Sequence, residues 1–569
     1  MPEERGRRTP PVPPGVATRA PTRAEWLGLA LVVAVALGLR LAHWQQLRVH
    51  DPFFELPSVD ERMYHEWARA IVAGDWLGEG VFLNGPLYPY FLAGIYALFG
   101  ASLAAAKAVQ CLLGALSCVL VWALARRLFD ARVALLASLG LALYGMAIFY
   151  EGTLVVVNLQ LPLTLAVLLA VVYALERPHA MSWLVAGALS GLSSLARPNV
   201  LLFVVFIAAW IPIALRGQAP RLRRALHVAA FLGGAALMVL PVTVRNRIVG
   251  DDWVLITHAG GLNLFIGNNP DSDGMFRVPR IFPRASADDP WEQRAQFEAL
   301  AERASGREMA PSEVSAFWSG QVRAFIRANP MRWIRLELRK LALSVNGFEP
   351  WNIRSYTLTR DFSGVLHLPL LSFGWMAPLA FAGLLRSARA WRRLVPLYAM
   401  LGTTWVTLLA FFVLSRYRMP AVPVLLIFAA AALAGFADAL RARRWRRAAG
   451  TALFALGCAG LVHLPLARED LSVAYYNLGN RYRELARWDP AIDAYRESIR
   501  RNPGYISAHN NLAIAYESSG MHDAEAIAAW QRVRVMAEAS GLRRYVTRAD
   551  RHLETLRARA GADALPAAP

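Results

Sequence analysis

The chain has 569 residues, 56% of them hydrophobic, a mean hydropathy of +0.33 and a formal charge of +20. So much apolar composition at this length excludes a soluble multi-domain protein and makes a polytopic membrane protein the expectation. Nucleic acid is not implied by the charge, because the arginines gather in short loops between apolar runs, as membrane topology demands, and not along one face.

Residues 1–24 are rich in Pro and Arg and read as a disordered cytoplasmic tail. The apolar run at 26–47 is longer than a signal-peptide core and lacks a small-residue cleavage site, so it is expected to stay as a signal anchor. Further runs near 104–125, 132–150, 154–175, 182–196, 199–215, 227–244, 369–385, 394–414, 419–438 and 449–466 bring the spans to about eleven. The fifth and sixth are short and read as a bent pair. An odd number of spans puts every basic cluster on one side, from Arg5, Arg7 and Arg8 through Arg126, Arg127 and Arg132 to Arg441–Arg447. That side is the cytoplasm. The amino terminus is then cytoplasmic, in a bacterial inner membrane, and the transmembrane domain covers 25–466. Loops 48–103 and 245–368, and a polar module at 470–560, face the periplasm; 561–569 reads as a second disordered tail.

Residues 87–100 are apolar but too short to span, which predicts a helix in the outer interface anchored by Tyr88, Tyr90 and Tyr96. The basic amphipathic stretch 330–341 is expected to lie there too. Between them, Trp253-Val254-Leu255-Ile256 is strand-like, and 260–270 is dense in Gly and Asn. Asn263, Asn268 and Asn269 offer amides to a sugar or phosphate, although turns use the same residues. Cys111, Cys118 and Cys458 sit inside apolar runs with no paired spacing, so neither a disulfide nor a zinc site is expected. No His/Asp cluster has metal-ligand spacing either, and no cofactor is required.

Chemistry concentrates in four places on the outer side. Asp60 and Glu61 open a helical stretch with Tyr64, His65 and Trp67; Tyr150-Glu151 closes the third span; Arg197 lies between two short spans; and Arg416-Tyr417-Arg418 precedes the tenth. Carboxylates beside a membrane are costly unless they meet water and a polar substrate. A carboxylate can take a proton from an acceptor while guanidinium groups hold and neutralise a leaving phosphate. The plain alternatives are a solvated helix start for Asp60 and Glu61, a span boundary for Glu151, and lipid headgroup contacts for the arginines.

The first-loop Asp60-Glu61 with Tyr64, the Gly85-Pro86-Leu87-Tyr88-Pro89 segment, the acidic end of the third span and Arg416-Tyr417-Arg418-Met419-Pro420 together resemble the GT-C superfamily of polyprenyl-phosphate-sugar-dependent glycosyltransferases. Within it the similarity is to family 39, the protein O-mannosyltransferase and lipid A aminoarabinose transferase branch. The resemblance covers roughly 25–440 and implies an all-α GT-C membrane core that moves a sugar, with inversion, from a polyprenyl-phosphate donor to a protein or lipid/glycan acceptor. It implies Asp60 as base, Glu61 as its orienter or an acceptor contact, and Glu151 as a second acid. Arg197, Arg416 and Arg418 would stand at the donor phosphate, with Tyr64, His65 and Tyr88 near the substrates.

Residues 472–540 carry an internal repeat in which Tyr475, Leu478, Gly479, Tyr482, Ala491, Tyr495 and Pro503 are echoed by His509, Leu512, Ala513, Tyr516, Ala526 and Trp530. The pattern resembles a tetratricopeptide repeat, an α-solenoid whose concave face binds protein or peptide. Two other functions fit some of these features: an O-antigen ligase or polymerase, or a non-enzymatic membrane scaffold or transporter that recruits partners through the repeats.

Overall fold

The computed structural model describes residues 20–281, 290–520 and 523–560; the tails expected at either end lie largely or wholly outside these residues. The chain is an all-α polytopic membrane protein, and isolated bridges, Tyr144 to Leu371 and Met275 to Val413, are the only β pairings among the described residues. It divides into two compact units, residues 1–45, 59–352 and 365–466 in the first and 46–58, 353–364 and 467–569 in the second.

The first unit begins with α1 (Arg23–His50), followed by the short α2 (Asp60–Val72) and α3 (Leu87–Phe99). A bundle follows: α4 (Leu103–Leu128), α5 (Ala131–Ala142), α6 (Gly145–Glu151), α7 (Val157–Glu176), α8 (Ala180–Ala196), α9 (Val200–Ala214) and α10 (Arg221–Gly250). A helical loop region holds α11 (Gly260–Gly267), α12 (Pro290–Ser305), α13 (Pro311–Ala328), α14 (Pro330–Val345) and, assigned to the second unit, α15 (Tyr356–Thr359). The bundle resumes with α16 (Phe373–Ser387), α17 (Trp391–Ala410), a single turn α18 (Ser415–Arg418), α19 (Val422–Arg441) and α20 (Trp445–Val462). Among the described residues six stretches are long and apolar enough to cross a membrane, one of them running from α16 into α17. The expected bent pair is α8 and α9, of 17 and 15 residues, parted by the Arg197 turn. The last expected span, α20, is not among the six stretches.

Local chemistry sets the helix starts. Thr22 and Glu25 cap α1, while Ser102 and Asp130 accept the first free amides of α4 and α5. In the bundle α8 and α10 approach closely because Gly187, Gly191 and Gly234 face the opposite backbone; a Cβ at Gly187 would collide with the Phe231 carbonyl. Small residues at such crossings replace a hydrophobic driving force that lipid cannot provide.

The two ends of the bundle differ. At one, the basic turns meet acids from other helices: Arg126 with Glu25 (2.6 Å), Arg127 with Glu176, and Arg132 with Asp438 (2.6 Å). The other end carries α2, α3, α11 to α14 and α18. There α2, α3 and α4 share a core of Met63, Tyr64, Ile71, Tyr88, Leu92, Tyr96 and Leu103. Tyr88 and Tyr96 are therefore not headgroup anchors: both are buried, and the Tyr90 hydroxyl donates to the Trp76 carbonyl. The large exposed groups of this region are Trp76, Leu77, Leu98 and Phe99 instead.

Residues 253–256 form no strand. Val254 and Ile256 turn inward, and their carbonyls accept from Asn246 Nδ2 at 3.0 Å each, so one side chain of α10 replaces a partner strand. In α14, Leu336, Lys340 and Leu343 are buried while Met331, Ile334, Leu338 and Leu341 stay exposed among arginines, the two-faced pattern that an interfacial helix needs.

The second unit contains α21 (Ser472–Glu484), α22 (Trp488–Arg501), α23 (Ile506–Ser519), α24 (Asp523–Ala539) and α25 (Arg543–Ala560), each packed on the next around Tyr495, Leu512, Trp530 and Val533. Gly479 is small because the Tyr495 ring lies on it. The unit also takes in two loops from earlier in the chain. A buried Asp51–Arg354 pair (2.5 Å) joins them, and Glu469 accepts from Ser355 and Thr357.

Candidate active site

α2 starts abruptly. Val59 holds φ at 49°, where β-branched residues are rarely found, at a cost of about 1–3 kcal/mol. Asp60 is the first helical residue, and its Oδ2 meets Arg416 Nη1 at 2.7 Å. The carboxylate keeps 23% of its side-chain surface and the arginine 9%, so the pair opens to solvent on the aspartate side. Arg416 gets there because α18 is a single turn inserted between α17 and α19, with Ser415 tied to the Pro350 carbonyl by backbone and hydroxyl at 2.9 Å.

One turn after Asp60, Tyr64 packs edge-on to Tyr88 at 5.0 Å. Burial, then the charge of Asp60, pushes its phenol up to about 12, so it stays a neutral donor. Tyr88 donates to Gln110 Oε1 (2.6 Å), and Gln110 Nε2 donates to the carbonyls of Glu151 and Thr153. Tyr88 thus supports α2 from behind. His65 is half-buried with Nδ1 2.8 Å from the Tyr96 hydroxyl, and burial, then Arg69, holds its pKa below the ordinary value. Glu61 is fully buried, one residue and therefore about 100° round the helix from Asp60.

Arg197 approaches from the turn between α8 and α9, its guanidinium 4.6 Å from the centroid of the Tyr417 ring; Arg416 lies 5.4 Å from the same centroid. Gly85 threads against this turn, since a Cβ there would come within 2.5 Å of the Leu195 and Ala196 carbonyl oxygens. The Gly85-Pro86 segment and Arg197 are therefore brought together by the fold, as are Asp60, Tyr64 and Arg416.

Four of the expected site residues are held by the protein's own groups. Arg418 is 2% exposed: its Nη groups donate to the Asn346 and Phe348 carbonyls at 2.7 Å and pair with Glu349, which fixes loop 346–349. Glu151 pairs with Arg40 at 2.7 Å, with side chains 4% and 0% exposed, and seals a contact beside Gly114 where no Cβ fits. A water-sized cavity lined by Ser117, Tyr150, Asn158 and Met419 touches it. Asn268 is saturated, giving to the Leu264 and Ala410 carbonyls and accepting from Lys340 and Trp333. Asn269 likewise gives to the Phe265 and Ile266 carbonyls and accepts from the Asp271 amide. Asn268 thus clasps the end of α17, and Asn269 the end of α11. Asn263 is half-buried on α11.

Sequence reasoning passed over Tyr417, Gln110 and Arg40. Arg40 had a signal: a charge in mid-span requires a partner. Among the described residues no group of three or more His, Cys, Asp or Glu side chains is placed to hold a metal ion.

Residues 84–244 match the family model for dolichyl-phosphate-mannose-protein mannosyltransferase. That segment carries a glycosyltransferase signature. It covers less than half of the chain, beginning after Asp60 and ending before Arg416, so that pair rests on geometry alone. Among solved structures, the Archaeoglobus fulgidus oligosaccharyltransferase in complex with Zn and sulfate is 16% identical with a TM-score of 0.44, over 81% of this chain and 56% of that one. ArnT from Cupriavidus metallidurans bound to undecaprenyl phosphate is 16% identical with a TM-score of 0.35, over 74% and 79%. The chain thus spans little more than half the length of the oligosaccharyltransferase. No curated protein matches it.

Proposed function

We propose that the chain is a membrane glycosyltransferase that moves a sugar from a polyprenyl-phosphate donor to a protein or lipid/glycan acceptor. The observation that carries this reading is the Asp60–Arg416 pair at 2.7 Å with Arg197 on the neighbouring Tyr417 ring. One acid and two guanidinium groups leave a single net positive charge, which suits a phosphodiester monoanion. The Arg416 Nε–H is buried without a hydrogen-bond acceptor, and a phosphate oxygen would satisfy it.

In this reaction the acceptor O–H or N–H loses its proton to Asp60 as its heavy atom bonds to the anomeric carbon. The bond from that carbon to the phosphate oxygen breaks, its electrons leave with the polyprenyl phosphate, and configuration inverts. Arg416 and Arg197 take up the charge that grows on the phosphate. Once Arg416 turns to the phosphate, Asp60 is released to receive the proton.

The basic turns at the far end support an orientation in which that end is cytoplasmic and the site extracytoplasmic, in a bacterial inner membrane. The helical pairs of the second unit are read as tetratricopeptide repeats that dock a polypeptide. Mass spectrometry of envelope proteins and lipids from a deletion strain and its parent tests the proposal. Loss of a sugar from a protein, or of a decoration from a lipid, is expected and names the acceptor class; identical glycosylation in both strains would contradict it.

A further inference from the structure

Tyr417 stands at the centre of the site, though neither the proton transfer nor the phosphate contact described above uses it. Its ring is a surface that both site arginines share, 4.6 Å from Arg197 and 5.4 Å from Arg416. The two cations come from distant parts of the chain, one in the turn after α8 and one on α18. Like charges brought together in a poorly solvated pocket repel, and long side chains relieve the repulsion by splaying apart. An aromatic face attracts a guanidinium, and more strongly once water is excluded. One ring can thus hold two cations that would otherwise separate.

The ring itself is held. Phe412 lies 5.6 Å from it at an interplanar angle of 32°, and Phe412 in turn meets Phe276 at 5.3 Å within the core that joins residues 411–414 to α11 and α13. The Tyr417 amide donates to the Leu414 carbonyl at 3.0 Å, which fixes where the side chain leaves the backbone. Although burial alone would raise the pKa of the phenol, the charges of Arg416 and Arg197 bring it below the ordinary value. The phenol oxygen therefore lies in the field of the same two cations that flank the ring.

We propose that Tyr417 is a positioning residue that holds Arg197 and Arg416 where both address one phosphate of the lipid-linked donor. The inference rests on the glycosyltransferase reading and deepens it: the phosphate is recognised by a cation–ring–cation assembly, not by two independent arginines.

Undecaprenyl phosphate is the probe, its binding to the full-length protein in nanodiscs being measured at equilibrium. Tyr417→Leu is expected to weaken binding about tenfold and Tyr417→Phe less than about threefold, because the ring face survives in Phe. Arg197→Ala is expected to cost about tenfold alone but less than about twofold in the Tyr417→Leu background, since both changes remove the same arrangement. Should the Leu variant fail to fold, phenylalanines carrying successive ring fluorines at position 417 keep the shape and drain the ring of charge. Affinity then falls stepwise with fluorine number, which a purely structural role would not produce. Wild-type affinity in Tyr417→Leu, fully multiplicative losses in the double variant, or a flat fluorine series would each overturn the role of Tyr417 while leaving donor binding in place. Failure of the wild-type protein itself to bind undecaprenyl phosphate would overturn the glycosyltransferase reading and this inference with it.

Discussion

Asp60→Asn is expected to lower sugar transfer by about a hundredfold to ten-thousandfold, the range that a positioned general base contributes. The amide is nearly isosteric and its oxygen can still accept from Arg416 Nη1, so the 2.7 Å contact and the start of α2 survive. Donor affinity should change little, because Arg416 is released from a charged partner and Arg197 is untouched. The signature is therefore a large fall in kcat with a melting temperature and lipid affinity close to wild type, measured on purified protein. Wild-type turnover in Asp60→Asn would remove the base from the mechanism.

The second large effect is structural. Arg40→Leu strands the Glu151 carboxylate in the bundle without its 2.7 Å partner, and breaking a buried pair in this way costs about 3–5 kcal/mol. The guanidinium also donates to the Ala142 and Ala36 carbonyls, so the contact between α1 and the junction of α5 and α6 loosens at the same time. Thermal melting in detergent should fall clearly. Combining Arg40→Leu with Glu151→Gln removes the stranded charge and should recover much of the loss. The same double variant separates the two readings of Glu151, because a structural carboxylate permits sugar transfer in the rescued protein and a catalytic one does not.

What could be read from the chain, and what could not, follows from the range of the interactions. Asp60 and Arg416 stood out in the sequence because charge beside a membrane is rare and each follows an apolar run. The Arg197 turn was visible for the same reason, and the short α8 and α9 on either side followed from run length. Arg418 could not be told from Arg416 by sequence: two residues apart on a single turn, they point to different sides, one to Asp60 and the other to loop 346–349. The Gly/Asn turn at 267–269 looked ligand-like because amides serve sugars and backbones equally well. The close approach of the Phe411 carbonyl to Gly267 sets it against the end of α17. Tyr88 and Tyr96 resembled interface anchors until α2 was folded over them, and that covering depends on packing between helices rather than on local pattern.

The central claim is that Asp60, Arg416 and Arg197 surround one lipid-linked phosphate. Its most direct test is a cryo-electron microscopy map of the full-length protein in nanodiscs with undecaprenyl phosphate. The account predicts phosphate density within hydrogen-bond distance of both guanidinium groups and beside the Asp60 carboxylate. Density at the opposite end of the bundle, among the arginines that meet Glu25, Glu176 and Asp438, would contradict it.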